Sequence, residues 1–407
     1  MEGAAYLGIG TPYRRDRRAN AFFSLLTVIM DDPYWPKNSA VDIAPDFGRL
    51  RAALYCQEPD RVPLLELFHD LEVKEAFLGR RIRGVEDDIQ FHVRAGYDYY
   101  TFGFQYEEIV EAYSWIGVAS SGPATPLYGR KQPRHWVPER EGLISNRQDF
   151  ERFPWPDPGR SRIMAMANVF DRVTGDQAVR EALEHLPPNM RLIVQTDGIF
   201  ERFTKMMGLQ TFCYLLYDDP PLVAEMFEVG GRLAVGLFEY MAQLPGVGAL
   251  WLADDLAYAS GLLFSPELMH KHLFPWYRRI AGIARDVNLP LLFHSDGNLL
   301  SILDDLVEIG FNALQPIEPK AMDIRDLKRT YGGRLCLVGN IDLGSTLTLG
   351  TPEEVRAEVR QRIRDIAPGG GYCVGSSNTV TNYVPLQNFQ AMVDATFAYG
   401  RYPISGL

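Results

Sequence analysis

Short runs of almost wholly apolar residues recur along this chain, each parted from the next by a stretch with helical periodicity, and that alternation restricts the fold more than any other feature. Strands buried on both faces read as continuous apolar runs, and helices between them are the usual crossover connections of a parallel sheet. Eight such runs are found: Val62–Phe68, Tyr97–Gly103, Arg191–Thr196, Ala249–Ala253, Pro290–His294, Ala313–Ile317, Leu335–Asn340 and Tyr372–Gly375. Eight βα units are what a closed parallel barrel needs, and such a barrel takes about 250 residues. The chain has 407. The surplus is assigned to an N-terminal extension over 1–48, ahead of a barrel over 49–407, and to a long insertion between the second and third runs, from Phe104 to Met190.

Helix signals support this frame. Ser265-Pro266-Glu267 offers a cap followed by proline at the first helical position, and Thr351-Pro352-Glu353-Glu354 adds the glutamate of a capping box. Val355, Val359 and Ile363 then form a stripe at four-residue spacing. Gly310 and Gly332 stand where helices should stop. The insertion is rich in Trp, Pro and Tyr; a loop of that length is either a lid over the barrel mouth, with Trp115, Trp136 or Trp155 in its wall, or an arm packed on the outside.

In a parallel barrel the functional groups gather just past the strand ends. Here those positions hold His69-Asp70, Asp197, Asp254-Asp255, His294-Ser295-Asp296, Glu318, Asn340 with Asp342, and Ser376, Ser377 and Asn378. Any one strand-end acid reads first as a helix cap. The set as a whole predicts an acid-rich pocket suited to a cation, a metal or proton transfer. His294-x-Asp296 is the sharpest pair, an imidazole and a carboxylate placed to share a divalent ion. Asp254-Asp255 is a second candidate: one member serves as general base or cation anchor, with the close like charges raising one of the two pKa values, or else one faces the pocket and the other caps a loop. A net charge of −11 excludes nucleic acid and disfavours an anionic membrane surface. Four cysteines with no close pair point to free thiols in a reducing, cytoplasmic setting. Arg14, Arg15, Arg17 and Arg18 precede an apolar run over Ala21–Met30, yet Asp31, Asp32 and Pro33 follow where an export signal needs small residues. The segment therefore reads as a basic arm leading to a helix that packs on the barrel or on a second copy in a homodimer.

Several stretches resemble the uroporphyrinogen decarboxylase superfamily, which includes methyltransferases that serve corrinoid proteins. They are Glu58-Pro59-Asp60-Arg61-Val62-Pro63, Gly198-Ile199-Phe200-Glu201, Ser265-Pro266-Glu267, His294-Ser295-Asp296-Gly297, Gly339-Asn340-Ile341-Asp342 and Gly350-Thr351-Pro352-Glu353-Glu354-Val355. The resemblance runs from about residue 49 to the end and implies a (β/α)8 TIM barrel. The Met-Arg-Gln-Ala-Gly-Arg motif of true uroporphyrinogen decarboxylases is missing from this sequence. The methyltransferase branch carries His-x-Cys after the fifth strand and a second cysteine after the eighth, which bind zinc. Here Asp296 replaces the first cysteine, and Ser376 or Ser377 stands at the second. The resemblance thus implies a methyltransferase that takes a methyl group from a small methoxy or related substrate and passes it to a corrinoid on a separate protein. His294, Asp254 and Asp255 are the expected catalytic groups, and His294 with Asp296 the expected ligands of a divalent metal such as zinc. Asp197, Glu201, Glu318, Asn340, Ser376 and Asn378 are the expected substrate contacts. A decarboxylase of a small non-porphyrin acid, with Arg202 or Lys205 as anchor, and a non-catalytic binding barrel are the alternatives.

Overall fold

A computed structural model describes residues 44–115, 142–166 and 173–404. From Pro45 onward they pack as one unit around a single eight-stranded sheet. Its strands are β1 (Tyr99–Tyr106), β2 (Ile163–Met166), β3 (Arg191–Asp197), β4 (Val247–Ala253), β7 (Leu291–His294), β8 (Ala313–Gln315), β9 (Cys336–Val338) and β10 (Tyr372–Cys373). A hairpin of β5 (Ala257–Tyr258) and β6 (Gly261–Leu262) stands apart. The order β10-β9-β8-β7-β4-β3-β1-β2 is parallel throughout except that β2 runs antiparallel on β1. In the middle, Ala249, Leu250, Trp251 and Leu252 of β4 are wholly inaccessible, as expected of a strand covered on both faces. The chain therefore has an α/β fold on a mostly parallel sheet, and no helix among the described residues is long and apolar enough to cross a membrane.

Seven of the eight expected runs fall on strands of this sheet. The first does not form a ladder: Val62–Phe68 makes isolated parallel bridges through Leu64 to Val374 and, one residue past its end, through His69 to Val380. The reason is local. Pro63 has no N–H to donate, so it only accepts, from Val374 N at 2.9 Å. On the side facing β1 a side chain replaces the ladder. The Tyr99 hydroxyl accepts from Glu66 N (2.8 Å) and donates to Glu66 O (2.6 Å). The antiparallel edge strand β2 and the β5–β6 hairpin were not anticipated. They are too short to show a strand period.

The helix signals hold. Ser265 Oγ accepts from Leu268 N, and the Thr351–Glu354 capping box is formed in both directions. Val355, Val359 and Ile363 are fully buried, and Gly310 caps its helix in the left-handed region at φ 112°. In the insertion, Trp155 donates to Phe150 O and lies against Phe150, Phe153 and Phe203, so its ring belongs to the helical layer over the Ile199–Met207 helix. Trp136 and the side chain of Trp115 lie outside the described residues.

Candidate active site

The ends of β4, β7 and β8 place the central groups side by side. In register, Ala253 pairs with His294 and His294 with Gln315. The residues at and just past those ends therefore meet. His294 Nε2 stands 3.6 Å from Asp255 Oδ1 and 3.9 Å from Asp296 Oδ1, and one ligand atom from each of the three lies within 4.8 Å of the others. Asp255 Oδ1 accepts from Asp296 N (2.9 Å), while Asn378 Nδ2 donates to Asp296 Oδ2 (2.6 Å). Asp296 Oδ1 is buried with no hydrogen-bond partner. Burial, then the negative charges of Asp255, Glu318 and Glu201, push the Asp296 carboxyl well above the usual carboxylate range. Glu318 is held in place by Gly297 N, which donates to its Oε2 at 2.7 Å.

Beside this triangle, Lys205 Nζ bridges Asp197 Oδ1 (3.0 Å) and Glu201 Oε1 (2.9 Å). Burial, reinforced by Asp255 and Asp197, raises the Glu201 carboxyl to about 8. Burial acts the same way on Asp197, but Lys205 outweighs it and holds that carboxyl low. Lys205 and Arg202 thus turn inward rather than lying on the helix surface. Arg202 is fully buried and donates through its two terminal nitrogens to the carbonyls of Gly230 and Asp197, while its Nε has no hydrogen-bond partner. Five carboxyls (Asp197, Glu201, Asp255, Asp296 and Glu318) accordingly share a region in which Lys205, among the described residues, is the lysine or arginine side chain paired with them.

A uroporphyrinogen decarboxylase (URO-D) family model matches residues 137–399. The chain belongs to the uroporphyrinogen decarboxylase family. Its relatives fall in two groups. The methylcobamide:CoM methyltransferase MtaA of Methanosarcina barkeri is 24% identical over 229 residues, 55% of this chain and 62% of the relative. The uroporphyrinogen decarboxylase of Anaeromyxobacter dehalogenans is 26% identical over 241 residues, 56% of this chain and 63% of the relative. The matched stretches thus span less than two thirds of either relative. Among solved structures, a methyltransferase from Methanosarcina mazei superposes with a TM-score of 0.61 at 20% identity, covering 86% of this chain and 97% of that one.

Within this family frame the expected site residues sort into three groups. Asp255, His294 and Asp296 converge, with Glu201, Glu318 and Asp197 around them. Asp254 is placed elsewhere: its carboxylate accepts from Ile199 N (2.8 Å), Phe200 N (3.2 Å), Glu201 N (2.7 Å) and Tyr277 Oη (2.6 Å). A carboxylate with four donors at a helix start is a cap, which corrects the expectation that Asp254 is catalytic. Ser376 is also drawn off: its N and Oγ both donate to the buried carboxylate of Glu66, at 2.5 and 2.8 Å. Ser377 Oγ accepts from Leu343 N. Both serine hydroxyls are thus engaged elsewhere, and the third group of the triangle is Asp255. Asn378 donates its side-chain amide to Asp296. Asn340 is buried, with its Oδ1 unpartnered. Sequence reasoning missed Gln315, whose Oε1 lies 2.5 Å from His294 Nδ1; the cue was available, because Gln315 ends the strand beside the one His294 ends.

Proposed function

We propose that this protein is a (β/α)8-barrel methyltransferase that removes a methyl group from a small methoxy or related substrate and passes it to a corrinoid carried by a separate protein. The observation that carries this reading is the Asp255–His294–Asp296 triangle. Its donors suit a divalent cation on two counts: the ligand atoms are close enough to be bridged, and the buried Asp296 Oδ1 has no other partner. Mutually repelling carboxyls are relieved by a cation. His294 Nε2, Asp255 Oδ1 and Asp296 Oδ1 would hold the ion, and one imidazole with two carboxylates makes a harder set than the family's thiolates. When bound, the ion supplies Lewis-acid polarisation of the substrate oxygen, which a methyl ether needs because its oxygen is a poor leaving group. Glu318 and Glu201 line the same region and orient the substrate.

For the barrel itself, support comes from Val62–His69, which lies along β10 on one side and is tied to β1 through Tyr99 on the other. The methyltransferase relatives support the reaction class. A decarboxylase would need a free cation for its carboxylate, whereas Lys205 is shared between two acids and Arg202 is committed to carbonyls.

The test is to incubate the purified protein with zinc ion, methoxylated aromatic substrates and cob(I)alamin, and to follow methylcobalamin by its absorbance. Methylation by the wild type and none by His294→Ala are expected. A wild-type protein that methylates no corrinoid with any methoxy, methylthio or methylamino substrate would overturn the reading.

A further inference from the structure

Behind the three facing groups runs a second chain of hydrogen bonds that no expectation drawn from the sequence included. Gln315 Nε2 donates to Asn378 O at 2.6 Å. An amide NH2 only donates and a carbonyl only accepts, so this bond fixes which way the Gln315 amide lies: its Oε1 must face His294 Nδ1, 2.5 Å away. The opposite orientation would set two oxygens against each other at Asn378. Since Gln315 Oε1 only accepts, His294 Nδ1 must donate. The neutral imidazole then carries its proton on Nδ1 and turns a bare lone pair on Nε2 toward Asp255 and Asp296. The same residue that receives the Gln315 amide, Asn378, ties down the far oxygen of Asp296 through its own side chain. Gln315 is buried and Asn378 half-buried, so both bonds are partly shielded from bulk water.

The geometry points to Gln315 as the positioning residue of this site: with Asn378 it forms a clamp that holds His294 in the Nδ1–H tautomer and leaves Nε2 and Asp296 Oδ1 as the facing atoms. Gln315 touches no reacting group and acts through His294. This deepens the methyltransferase reading by explaining how a site without thiolates is kept ready for a cation. Outer partners of this kind set ligand orientation and basicity, and their loss typically costs about 10–100-fold in metal affinity.

The test uses the full-length, metal-free protein labelled with 15N-histidine. Long-range proton–nitrogen correlation spectra distinguish the two neutral tautomers, and the His294 signal among the seven histidines is the one missing from His294→Gln. Wild type should show the Nδ1–H form. Gln315→Leu should shift it to a mixture or to Nε2–H, and should weaken zinc-ion binding, read by chelator competition, by about 10–100-fold. Gln315→Glu keeps an acceptor toward Nδ1 and should restore the tautomer. Asn378→Ala should weaken zinc binding, because Asp296 loses its anchor, yet leave the tautomer unchanged, because Asn378 O is main chain. If Gln315→Leu does not fold, Gln315→Met, which also lacks the amide acceptor, is expected to show the same tautomer shift. An Nε2–H signal in wild type, or a tautomer unchanged when the Gln315 acceptor is removed, would overturn the clamp. A fixed tautomer in a protein that binds no zinc and transfers no methyl group would leave the clamp standing and remove the methyltransferase reading.

Discussion

Two clusters among the described residues set a buried histidine against a carboxylate, and they are built to opposite ends. In the first, Asp88 accepts from Lys74 Nζ at 2.7 Å and from the Tyr100 hydroxyl at 3.2 Å, while His92 Nδ1 lies 2.8 Å from the Asp88 carbonyl. His69 closes over it, bonded to Tyr97 and ringed by Phe91 and Phe389. The buried carboxylate has its cation, and the histidines are sealed among aromatic rings. In the second, His294 faces two carboxylates, no lysine or arginine among the described residues is paired with them, and Asp296 Oδ1 is left over. Burial is common to both; charge balance is not. A histidine at a strand end, such as His69 or His294, is thus separated into packing and chemistry by whether the protein supplies the countercharge itself.

The largest effect that can break this comparison is on activity. His294→Ala should lower methyl transfer by about 10²–10⁴-fold, the usual span for loss of an acid–base or ligand group, with an unchanged circular dichroism spectrum and melting curve. Loss of the fold instead would put His294 in the same class as His69. Next, Lys74→Met should leave Asp88 buried without its cation and destabilise the protein by about 3–5 kcal/mol in urea unfolding. The corresponding change in the open cluster, Asp255→Asn, removes a repulsive charge and should leave stability equal or higher while zinc binding falls. A smaller loss, about 1–3 kcal/mol, is expected for Tyr99→Phe, which leaves Glu66 N–H and C=O unpaired in the interior.

The subtlest effect concerns pH. Burial, only partly offset by Asp88, lowers His92 from 6.5 to about 4. Below pH 6.5 the unfolded chain takes up a proton that the folded chain refuses, so stability falls as pH drops from 6.5 toward 4. His92→Gln should flatten that limb of the melting-temperature profile. An acid limb of unchanged slope would show that the closed cluster does not govern it.

How far the site could be read in advance depended on where each bond ran. The His294-x-Asp296 pair lies on one strand end, so its spacing was visible. Asp254-Asp255 was also visible as a pair, but which member faces inward depended on the Ile199–Met207 helix, whose start collects the Asp254 carboxylate. Gln315 drew no attention because glutamine has no chemistry of its own; its importance arises from cross-strand register, β7 against β8. Ser376 was misjudged because its partner, Glu66, sits 310 positions earlier. The parallel sheet was legible from its unbroken apolar runs. The Val62–Phe68 run was not legible as an exception, because the hydroxyl that takes over its pairing belongs to another segment.

Gly198 shows what such distant bonds do. A Cβ added there would stand 1.9 Å from the Asp254 carboxyl carbon, so the position admits no side chain while that carboxylate is in place. Shortening residue 254 to make room would release three amide groups at the start of the next helix. Either change alone is expected to cost stability, one through a clash and the other through three unpaired amides. Positions 198 and 254 are therefore coupled: what one can hold depends on what occupies the other.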